Sequence, residues 1–361
     1  MKYVDLHLHL DGAVTVAIAR KLAKLQGITL PESDQELKRL LTVPEDCESL
    51  TDFLKCFALP LSLMQTREGL SEAIRLVEND LRSQGVIYAE IRFAPQLHTE
   101  QGMTQEDAVL AALEGLKQGD LTGTQSSLKQ GDLTETQGGM KQVDEEAAQG
   151  DLQSSIPKVN LILCAMRGDG NEAANEETLR LAGKYLVKDG GVVAMDLAGA
   201  EALFPTGKYR GLFSRAKELG IPFTIHAGEA DGAESVKLAL EYGASRIGHG
   251  VRSYEDPKVL QFLKEKQIPL EMCPTSNRQT HAVEDMEQYP FMDYLRQGLK
   301  VTLNTDDPGI EGTTLEEEYR YMEQRFGLDA DGESMLLQNA VDAAFTTDVV
   351  KNWMRKELRL Y

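Results

Sequence analysis

Long apolar runs, paired cysteines and basic charge are all scarce in this sequence. No apolar run among the 361 residues approaches the ~20 that a membrane-spanning helix needs, and no signal-peptide pattern opens the chain, so we expect a cytoplasmic protein. The cysteines contain no C-x-x-C pair. In a chain of this length, Cys47, Cys56, Cys164 and Cys273 are expected to be reduced, partly buried thiols and not a disulfide framework.

The shortage of basic residues limits the expected partners. Lys and Arg total 38 against 58 Asp and Glu, which gives a formal net charge of −20. Nucleic acids and anionic membranes are bound through basic surfaces, so neither is expected as a partner. An acidic enzyme that acts on a small neutral or cationic molecule fits this charge better. Motifs for dinucleotides and for phosphate loops are also missing, and nothing in the sequence indicates an oligomeric state.

The segment at residues 2–12 is the most informative part of the chain. Its apolar and polar residues alternate with period two, which predicts a strand with two different faces. Asp5, His7 and His9 share one face of this strand. Two imidazoles at positions i and i+2 can bind a single metal ion, and neutral imidazole is a common nitrogen ligand of zinc.

Strand and helix patterns then alternate along the whole chain. The predicted strands lie at residues 2–12, 86–95, 159–165, 191–197, 222–226, 246–249, 269–274 and 300–308. Helical periodicity follows each of them, which predicts one (β/α)8 TIM barrel over residues 1–361, with extra helices over its carboxyl-terminal rim. A doubly wound parallel sheet is the alternative fold.

Residues 118–157 differ from the rest in composition. They are rich in Gly, Gln, Ser and Thr, and the heptapeptide LKQGDLT at residues 116–122 recurs at residues 128–134. Such a segment carries too few large apolar residues to offset the entropy of ordering it. We therefore predict a flexible tandem-repeat insertion before strand 3, on the rim opposite the chemistry.

The barrel prediction places the chemically active residues together. Active sites of such barrels lie at the carboxyl ends of the strands. Several histidines and acidic residues fall at these ends, namely His7, His9, Asp196, His226, Glu229, His249, Asp306 and Asp307. His98 and His281 fall in loops without a matching partner and are expected at the surface.

A single metal ion is expected at this rim. The predicted ligands, which form a set of three nitrogens and one oxygen suited to zinc, are His7, His9, His226 and Asp306. Strand 4 contains no lysine that could bridge a second ion. A water molecule on such a zinc ion titrates near neutrality and supplies hydroxide for hydrolysis.

Three neighbouring residues suit the remaining proton chemistry. His249 can orient or deprotonate the water, and Glu229 can carry a proton to the leaving side of the substrate. Asp307, next to the predicted ligand Asp306, can accept a hydrogen bond from water or substrate. Each residue alone also has an ordinary structural explanation, such as a turn or a helix amino terminus, but together they indicate a hydrolase.

Six short motifs in order resemble those of one family. They are residues 7–12 (HLHLDG), 196–199 (DLAG), 224–229 (TIHAGE), 246–250 (RIGHG), 273–277 (CPTSN) and 304–308 (NTDDP). On these motifs the chain resembles the adenosine deaminase family of the metal-dependent amidohydrolase superfamily, over nearly all its length outside 118–157. One departure is Ala200, which stands where many members carry an acidic residue or asparagine.

The resemblance implies roles for the active residues. It implies zinc on the four predicted ligands, with Glu229 protonating purine N1 and with His249 and Asp307 positioning the water. Asp307 also faces the purine, and His9 lies on the substrate side of the metal. The remaining substrate-binding positions are the Gly199 N–H for purine N3, Asp11 for a ribose hydroxyl, and Leu54 and Phe57 in a helix over the pocket.

The expected reaction is hydrolysis of adenosine, and of 2′-deoxyadenosine, to inosine or deoxyinosine and ammonia in purine salvage. A deaminase of adenine or of a modified nucleoside is the nearest alternative. Asp11 disfavours adenine, because relatives that act on the free base usually carry glutamate there. A non-catalytic metal-binding scaffold, whose insertion recruits a partner, is the alternative from another class.

Overall fold

The computed structural model describes residues 1–44, 53, 55–122 and 158–360, with the backbone alone at 118–122. Its eight strands are β1 (Tyr3–His9), β2 (Val86–Phe93), β3 (Lys158–Met166), β4 (Val192–Ala198), β5 (Thr224–Ala227), β6 (Arg246–His249), β7 (Leu270–Met272) and β8 (Val301–Leu303). Within two four-stranded sheets, β1-β2-β3-β4 and β5-β6-β7-β8, every pair of neighbours is parallel.

Backbone hydrogen bonds close the two sheets into one barrel. Between β4 and β5, the N–H of Met195 donates to the carbonyl of Pro222 over 2.9 Å. Between the last strand and the first, His9 N–H donates to Asp306 O and Asp306 N–H donates to His7 O, both over 2.8 Å. The order of eight parallel strands and this closure confirm the predicted TIM barrel and exclude the doubly wound sheet.

Helices surround the barrel. They are α1 (Val16–Gln26), α2 (Asp34–Leu41), α3 (Ala58–Ser62), α4 (Arg67–Ser83), α5 (Gln105–Thr122), α6 (Glu172–Tyr185), α7 (Arg210–Glu218), α8 (Ala233–Tyr242), α9 (Pro257–Lys266), α10 (Pro274–Gln279), α11 (Phe291–Arg296), α12 (Pro308–Glu311), α13 (Leu315–Phe326), α14 (Ala330–Ala343) and α15 (Asp348–Leu358).

Local sequence explains where several helices begin and end. The Thr15 side chain accepts from the N–H of Ile18 to cap α1, and Gly27 ends that helix in the left-handed conformation. Before α5, the Thr104 and Asp107 side chains and amides bond reciprocally, as the spacing of a capping box predicts.

The period of β1 separates chemistry from packing. Asp5, His7 and His9 share the face that leads to the functional cluster. On the outer face, Val4 and Leu6 are buried in a cluster with apolar residues of α14 and α15. This packing anchors the strand that carries two of the predicted metal ligands.

Several boundaries differ from the sequence prediction. The strand predicted at 269–274 stops at Met272, because Pro274 already begins helix α10. The strand predicted at 300–308 stops at Leu303, before Asp306 turns the backbone into the left-handed region at φ 71°. Helix α5 continues to Thr122, so residues 118–122 of the predicted insertion are helical. Residues 123–157 lie outside the described residues.

Two other predictions concern buried groups and membranes. Cys56, Cys164 and Cys273 are buried thiols that form no disulfide among the described residues, while Cys47 lies outside them. In the described part of the chain, no helix has both the length and the apolar character to cross a membrane.

The prediction that His98 lies at the surface is wrong. The short 3₁₀ helix Pro95–His98 that follows β2 turns the ring inward, where it is 1% exposed. Its Nδ1–H donates to the carbonyl of Met64 over 3.1 Å. Burial lowers the pKa of His98 to about 4, and the hydrogen bond to Met64 opposes this only in part. The sequence pattern did not reveal that α3 and the turn after it, which contains Met64, shield the His98 ring from solvent.

This buried histidine predicts a loss of stability in acid. Its folded pKa lies below the unfolded value, so its contribution is intact above about pH 6.5 and is lost as pH falls below that value. Between about pH 7.5 and 5.5 the loss is about 1.4 kcal/mol. His98→Asn keeps an N–H donor near Nδ1 but cannot titrate.

As pH falls from about 7.5 to 5.5, we therefore expect the free energy of unfolding of the wild type to decrease by about 1.4 kcal/mol more than that of His98→Asn. Denaturant unfolding at both pH values measures the difference. The cavity left by the smaller side chain lowers the free energy of unfolding by the same amount at both pH values. Only the change in this free energy with pH is therefore compared between the two proteins. Equal slopes for the two proteins would contradict the prediction.

Candidate active site

Three imidazoles and one carboxylate converge at the carboxyl end of the barrel. The Nε2 atom of His226 lies 3.1 Å from His7 Nε2 and 3.3 Å from His9 Nε2. Asp306 Oδ1 lies 3.2 Å from His7 Nε2 and 3.4 Å from His9 Nε2. Ligands ~2.0–2.1 Å from a tetrahedral zinc ion are separated by about 3.3–3.4 Å, so this spacing fits one zinc-sized cation.

The backbone explains why these four side chains meet. His7 and His9 lie on one face of β1, and His226 lies in β5. Asp306 follows β8 and is held against β1 by the two backbone hydrogen bonds that close the barrel. Its positive φ of 71° is uncommon for a residue other than glycine and costs on the order of 1–3 kcal/mol, a strain found mainly at functional sites.

The contacts of Nδ1 in two of these rings, His7 and His226, support the same interpretation. His7 Nδ1 lies 2.8 Å from Glu271 Oε2, and His226 Nδ1 lies 2.9 Å from Asp196 Oδ2. Carboxylates on Nδ1 turn Nε2 toward the common centre, as they do for histidines that bind metal ions. The residues present therefore fit a metal ion.

A buried arginine links the two supporting carboxylates. Arg92 of β2 donates to Asp196 Oδ2 and to Glu271 Oε2, in both cases over 2.9 Å. It also donates to the carbonyl of Leu6 in β1 over 2.7 Å. Burial alone would lower the pKa of Arg92, but the charges of Glu271 and Asp196 raise it. On the other side of Glu271, Arg246 donates to Oε1 over 2.5 Å.

Sequence reasoning missed this charged network. The signal was present, because Glu90 and Arg92 are charged residues at alternate positions of an otherwise apolar strand. Such positions point into the barrel, where charges persist only when they are paired.

The predicted proton-transfer residues lie beside the metal ligands. His249 Nε2 is 3.6 Å from Glu229 Oε2 and 3.7 Å from Asp306 Oδ2. The Thr280 hydroxyl donates to Glu229 Oε1 over 3.1 Å. His249 has a positive φ of 59°, so two adjoining site residues share an unusual backbone conformation.

The environment of Glu229 favours its protonated form. Burial, together with the negative charges of Asp306 and Glu201, raises the pKa of Glu229 to about 8. A carboxyl group with this pKa holds a proton at neutral pH and can donate it. Burial also raises the pKa of Asp11, to about 6.

His249 is neutral and has a defined tautomer. Burial, with the charges of His7 and His226, lowers its pKa well below the usual value despite the opposing charge of Asp306. Asn277 Nδ2 lies 3.1 Å from His249 Nδ1, and the Tyr289 hydroxyl donates to Asn277 Oδ1 over 2.9 Å. In this orientation the amide donates to Nδ1, so the ring proton lies on Nε2, facing the cluster.

Asp307 occupies space that only a glycine leaves open. A Cβ atom at Gly12 would lie 1.7 Å from Asp307 Oδ1. The Asp11-Gly12 pair after β1 therefore lets Asp307 approach the end of the first strand. Burial, with the charges of Asp306, Asp11 and Glu229, raises the pKa of Asp307 well above its usual value.

A cavity of about 870 Å³ opens above this cluster. Its lining includes the predicted residues His9, Asp11, Phe57, Gly199, His226, Glu229, His249, Asp306 and Asp307. His7 is fully buried beneath them. Ala200 also lines the cavity, while Leu54 lies outside the described residues.

Both apolar and polar residues line the cavity. Phe53, Leu61, Leu97 and Met166 contribute apolar surface, which suits a flat aromatic ligand. Residues 281–285 also line the cavity and include His281, which is exposed as predicted.

A closed parallel barrel with a histidine and carboxylate cluster at its carboxyl rim defines the class of metal-dependent hydrolases. The comparisons identify the family within this class. The family model described as adenosine deaminase matches residues 3–360. The chain therefore belongs to the adenosine deaminase family.

One curated relative and two solved structures illustrate the similarity. The adenosine deaminase of Haemophilus ducreyi (strain 35000HP / ATCC 700724) is 45% identical over 347 residues, which covers 96% of this chain and 92% of that protein. The adenine deaminase of Arthrobacter aurescens is 25% identical, with a TM-score of 0.80 and coverage of 99% and 97%. An amidohydrolase of Burkhoderia ambifaria with bound Zn is 19% identical, with a TM-score of 0.78 and coverage of 99% and 89%, and shows the fold alone.

The supporting carboxylates predict an effect on metal affinity. Glu271→Gln replaces the carboxylate that orients His7 and pairs with Arg92 and Arg246. Loss of such a partner typically weakens metal binding by about 10–100-fold. We expect this loss in the dissociation constant for Zn²⁺, measured by competition with a chelator.

Glu90→Gln is the matched control for this prediction. Glu90 is equally buried and forms an ion pair with Arg246 over 2.6 Å, and it accepts hydrogen bonds from the Tyr88 hydroxyl and the Phe345 N–H and not from a predicted ligand histidine. It should change stability more than metal affinity. A Glu271→Gln protein that binds Zn²⁺ as tightly as Glu90→Gln would contradict the assignment.

Proposed function

We propose that the protein catalyses the hydrolytic deamination of adenosine, and of 2′-deoxyadenosine, to inosine or deoxyinosine and ammonia. The observation that carries this proposal is the juxtaposition of the three-histidine, one-aspartate cluster with Glu229, whose pKa is raised to about 8, on the floor of one cavity. Family membership supports the same reaction. We further propose that this reaction serves purine salvage and that the protein acts in the cytoplasm.

One zinc ion per chain is the proposed cofactor. His7, His9, His226 and Asp306 would hold it, and their spacing and their supporting carboxylates fit this role. When bound, zinc supplies an acidified water molecule whose pKa lies near neutrality. We propose a single ion, because β4 contains no lysine to bridge a second one.

Glu229 has the central part in the proton transfers. Its carboxyl group donates a proton to purine N1, which lets C6 accept the oxygen nucleophile without a build-up of negative charge on the ring. The C–N bond at C6 then breaks, and the amino group leaves as ammonia after gaining one proton from the attacking water. The other proton of that water returns Glu229 to its protonated form. Thr280 holds one oxygen of Glu229, so the other faces His249 and the cavity.

His249 orients the nucleophile in this scheme. Its proton lies on Nε2, toward the cluster, because Asn277 donates to Nδ1. This tautomer suits a hydrogen-bond donor better than a base, so of its two expected roles we favour orientation. Asp307 accepts a hydrogen bond from the water or the substrate, and the close approach that Gly12 permits supports this role.

The cavity walls suggest how adenosine would bind. We propose that the Gly199 N–H donates to purine N3 and that Asp11 accepts from a ribose hydroxyl. His9, a member of the proposed metal set that also lines the cavity, contacts the substrate edge, and Phe57 covers the purine. For Leu54 the same role rests on the sequence resemblance.

Adenine is the alternative substrate, because one of the similar solved structures is an adenine deaminase. Asp11 supports a nucleoside substrate, since it lines the cavity and its carboxyl group can accept a hydrogen bond from a sugar hydroxyl. Initial rates with adenosine, 2′-deoxyadenosine and adenine compare the three directly. A non-catalytic scaffold is disfavoured, because the cluster and the proton donor are both complete.

Replacing Glu229 tests the proposed reaction. Glu229→Gln keeps the side-chain shape but removes the proton for N1, and general acid catalysis is typically worth about 10²–10⁴-fold. We expect kcat for ammonia release from adenosine to fall by at least about 10²-fold, with a much smaller change in KM and with one zinc per chain retained.

His226→Ala is the matched comparison for Glu229→Gln. It removes a proposed ligand, so it should lose bound zinc as well as activity, as should wild-type protein treated with a chelator. Wild-type turnover in Glu229→Gln, or loss of zinc from this variant, would contradict the assignment of His226 as a metal ligand and of Glu229 as the acid.

We also propose that residues 123–157 have no part in catalysis. The described elements on either side of them, the end of α5 and the start of β3, lie at the rim opposite the cavity. A short Gly/Ser linker in their place should leave kcat for adenosine within about threefold. A fall beyond about tenfold in folded protein, roughly 1.4 kcal/mol of barrier, would show that the segment reaches the site.

A further inference from the structure

Glu201 is a buried acidic residue that the proposed reaction does not use. It lies in the loop after β4, two residues beyond Gly199, and is 2% exposed. Its carboxylate accepts hydrogen bonds from five donors, which are the N–H groups of Gly228 (2.8 Å), Glu229 (3.0 Å), Ala230 (2.8 Å) and Asp231 (3.0 Å) and the hydroxyl of Ser235 (2.5 Å).

The turn after β5 is shaped to bind an anion. Gly228 has a φ of 73°, and the four successive N–H groups that begin with it point to one position. Backbone concavities of this kind usually bind phosphate or another anion. Here the anion is the side chain of Glu201, supplied by the neighbouring βα loop.

The same carboxylate is tied to the segment that carries His226. Ser235 Oγ lies 2.7 Å from Thr206 Oγ1, and Arg167 donates to Thr206 Oγ1 over 2.9 Å. Arg167 also donates to the carbonyl of His226 over 2.6 Å. Glu201 therefore belongs to a polar cluster that fixes both ends of the 226–229 segment, with the proposed ligand at one end and the proposed acid at the other.

We infer that Glu201 is a positioning residue for the general acid Glu229, an inference that rests on the proposed deamination. It fixes the backbone from which the Glu229 side chain reaches the cavity. It also links that backbone to the loop of Gly199, so the two proposed contacts to the purine ring, at N1 and at N3, are set by one carboxylate. Misplacement of a catalytic group by about 1 Å can cost about 10²-fold in rate.

The charge of Glu201 acts in the same direction. Burial is the largest cause of the raised pKa of Glu229, followed by the charges of Asp306 and Glu201. A neutral residue at 201 would remove part of that effect. The positional argument does not depend on it.

A double-mutant cycle tests the inference. Glu201→Gln keeps the size of the side chain, but its NH2 group faces N–H donors and cannot accept from them. We expect kcat for adenosine to fall by about 10–100-fold, with KM changed less than about threefold and with zinc content unchanged. In the Glu229→Gln background the same change should lower kcat by less than about threefold, because the acid it positions is already lost.

Two further variants make the result unambiguous. Ser235→Ala removes one donor to Glu201 and leaves the four backbone donors, so it folds more readily and should show the same pattern with a fall of about 3–10-fold. Glu234→Gln, an exposed carboxylate one residue away that pairs with Lys237, should leave kcat unchanged in both backgrounds.

The possible results separate the inference from the function. The inference would be overturned if Glu201→Gln and Ser235→Ala lowered kcat by the same factor in the wild-type and in the Glu229→Gln background. It would also be overturned if both variants kept wild-type kcat. Neither result would contradict the proposed deamination. A wild-type protein that releases no ammonia from adenosine would overturn the proposed function, and with it the role of Glu201.

Discussion

The contact between Arg92 and its two carboxylates is the constraint on which the site depends. One guanidinium, with no solvent exposure, joins Asp196 in β4 to Glu271 in β7 and reaches the backbone of β1 as well. Each carboxylate lies against one histidine of the proposed metal set. Removing one member of such a buried ionic group usually costs about 3–5 kcal/mol, because a charge is left without its partner. The orientation of the metal ligands is thus set inside the barrel.

Around this core the site divides into rigid and loop-borne parts. His7, His9 and His226 lie in strands, so their backbone positions follow from the barrel itself. Glu229 lies in a loop, where position must come from added contacts, and the hydrogen bonds of Glu201 and Thr280 supply them. The strained backbone at His249 and Asp306 is tolerated because barrel hydrogen bonds hold both residues.

Sequence patterns predicted the barrel and the cluster because both follow simple periodic rules. Period two placed His7 and His9 on one face, and the carboxyl-end rule brought His226, His249 and Asp306 to them. The missed features depend on contacts between distant segments. Nothing local in the sequence links Glu201 to a turn 27 residues later, nor shows that His98 is covered by the carbonyl of Met64.

The proposed metal ligands come from the first and the last strands of the barrel, which has a consequence for biosynthesis. His7 and His9 are synthesised well before Asp306, which follows β8. The ligand set is complete only when the first and last strands join, so a nascent chain lacking β8 cannot assemble it. Metal binding would then favour the joined state over any open form by mass action. Metal retention would therefore report that synthesis and ring closure have both been completed.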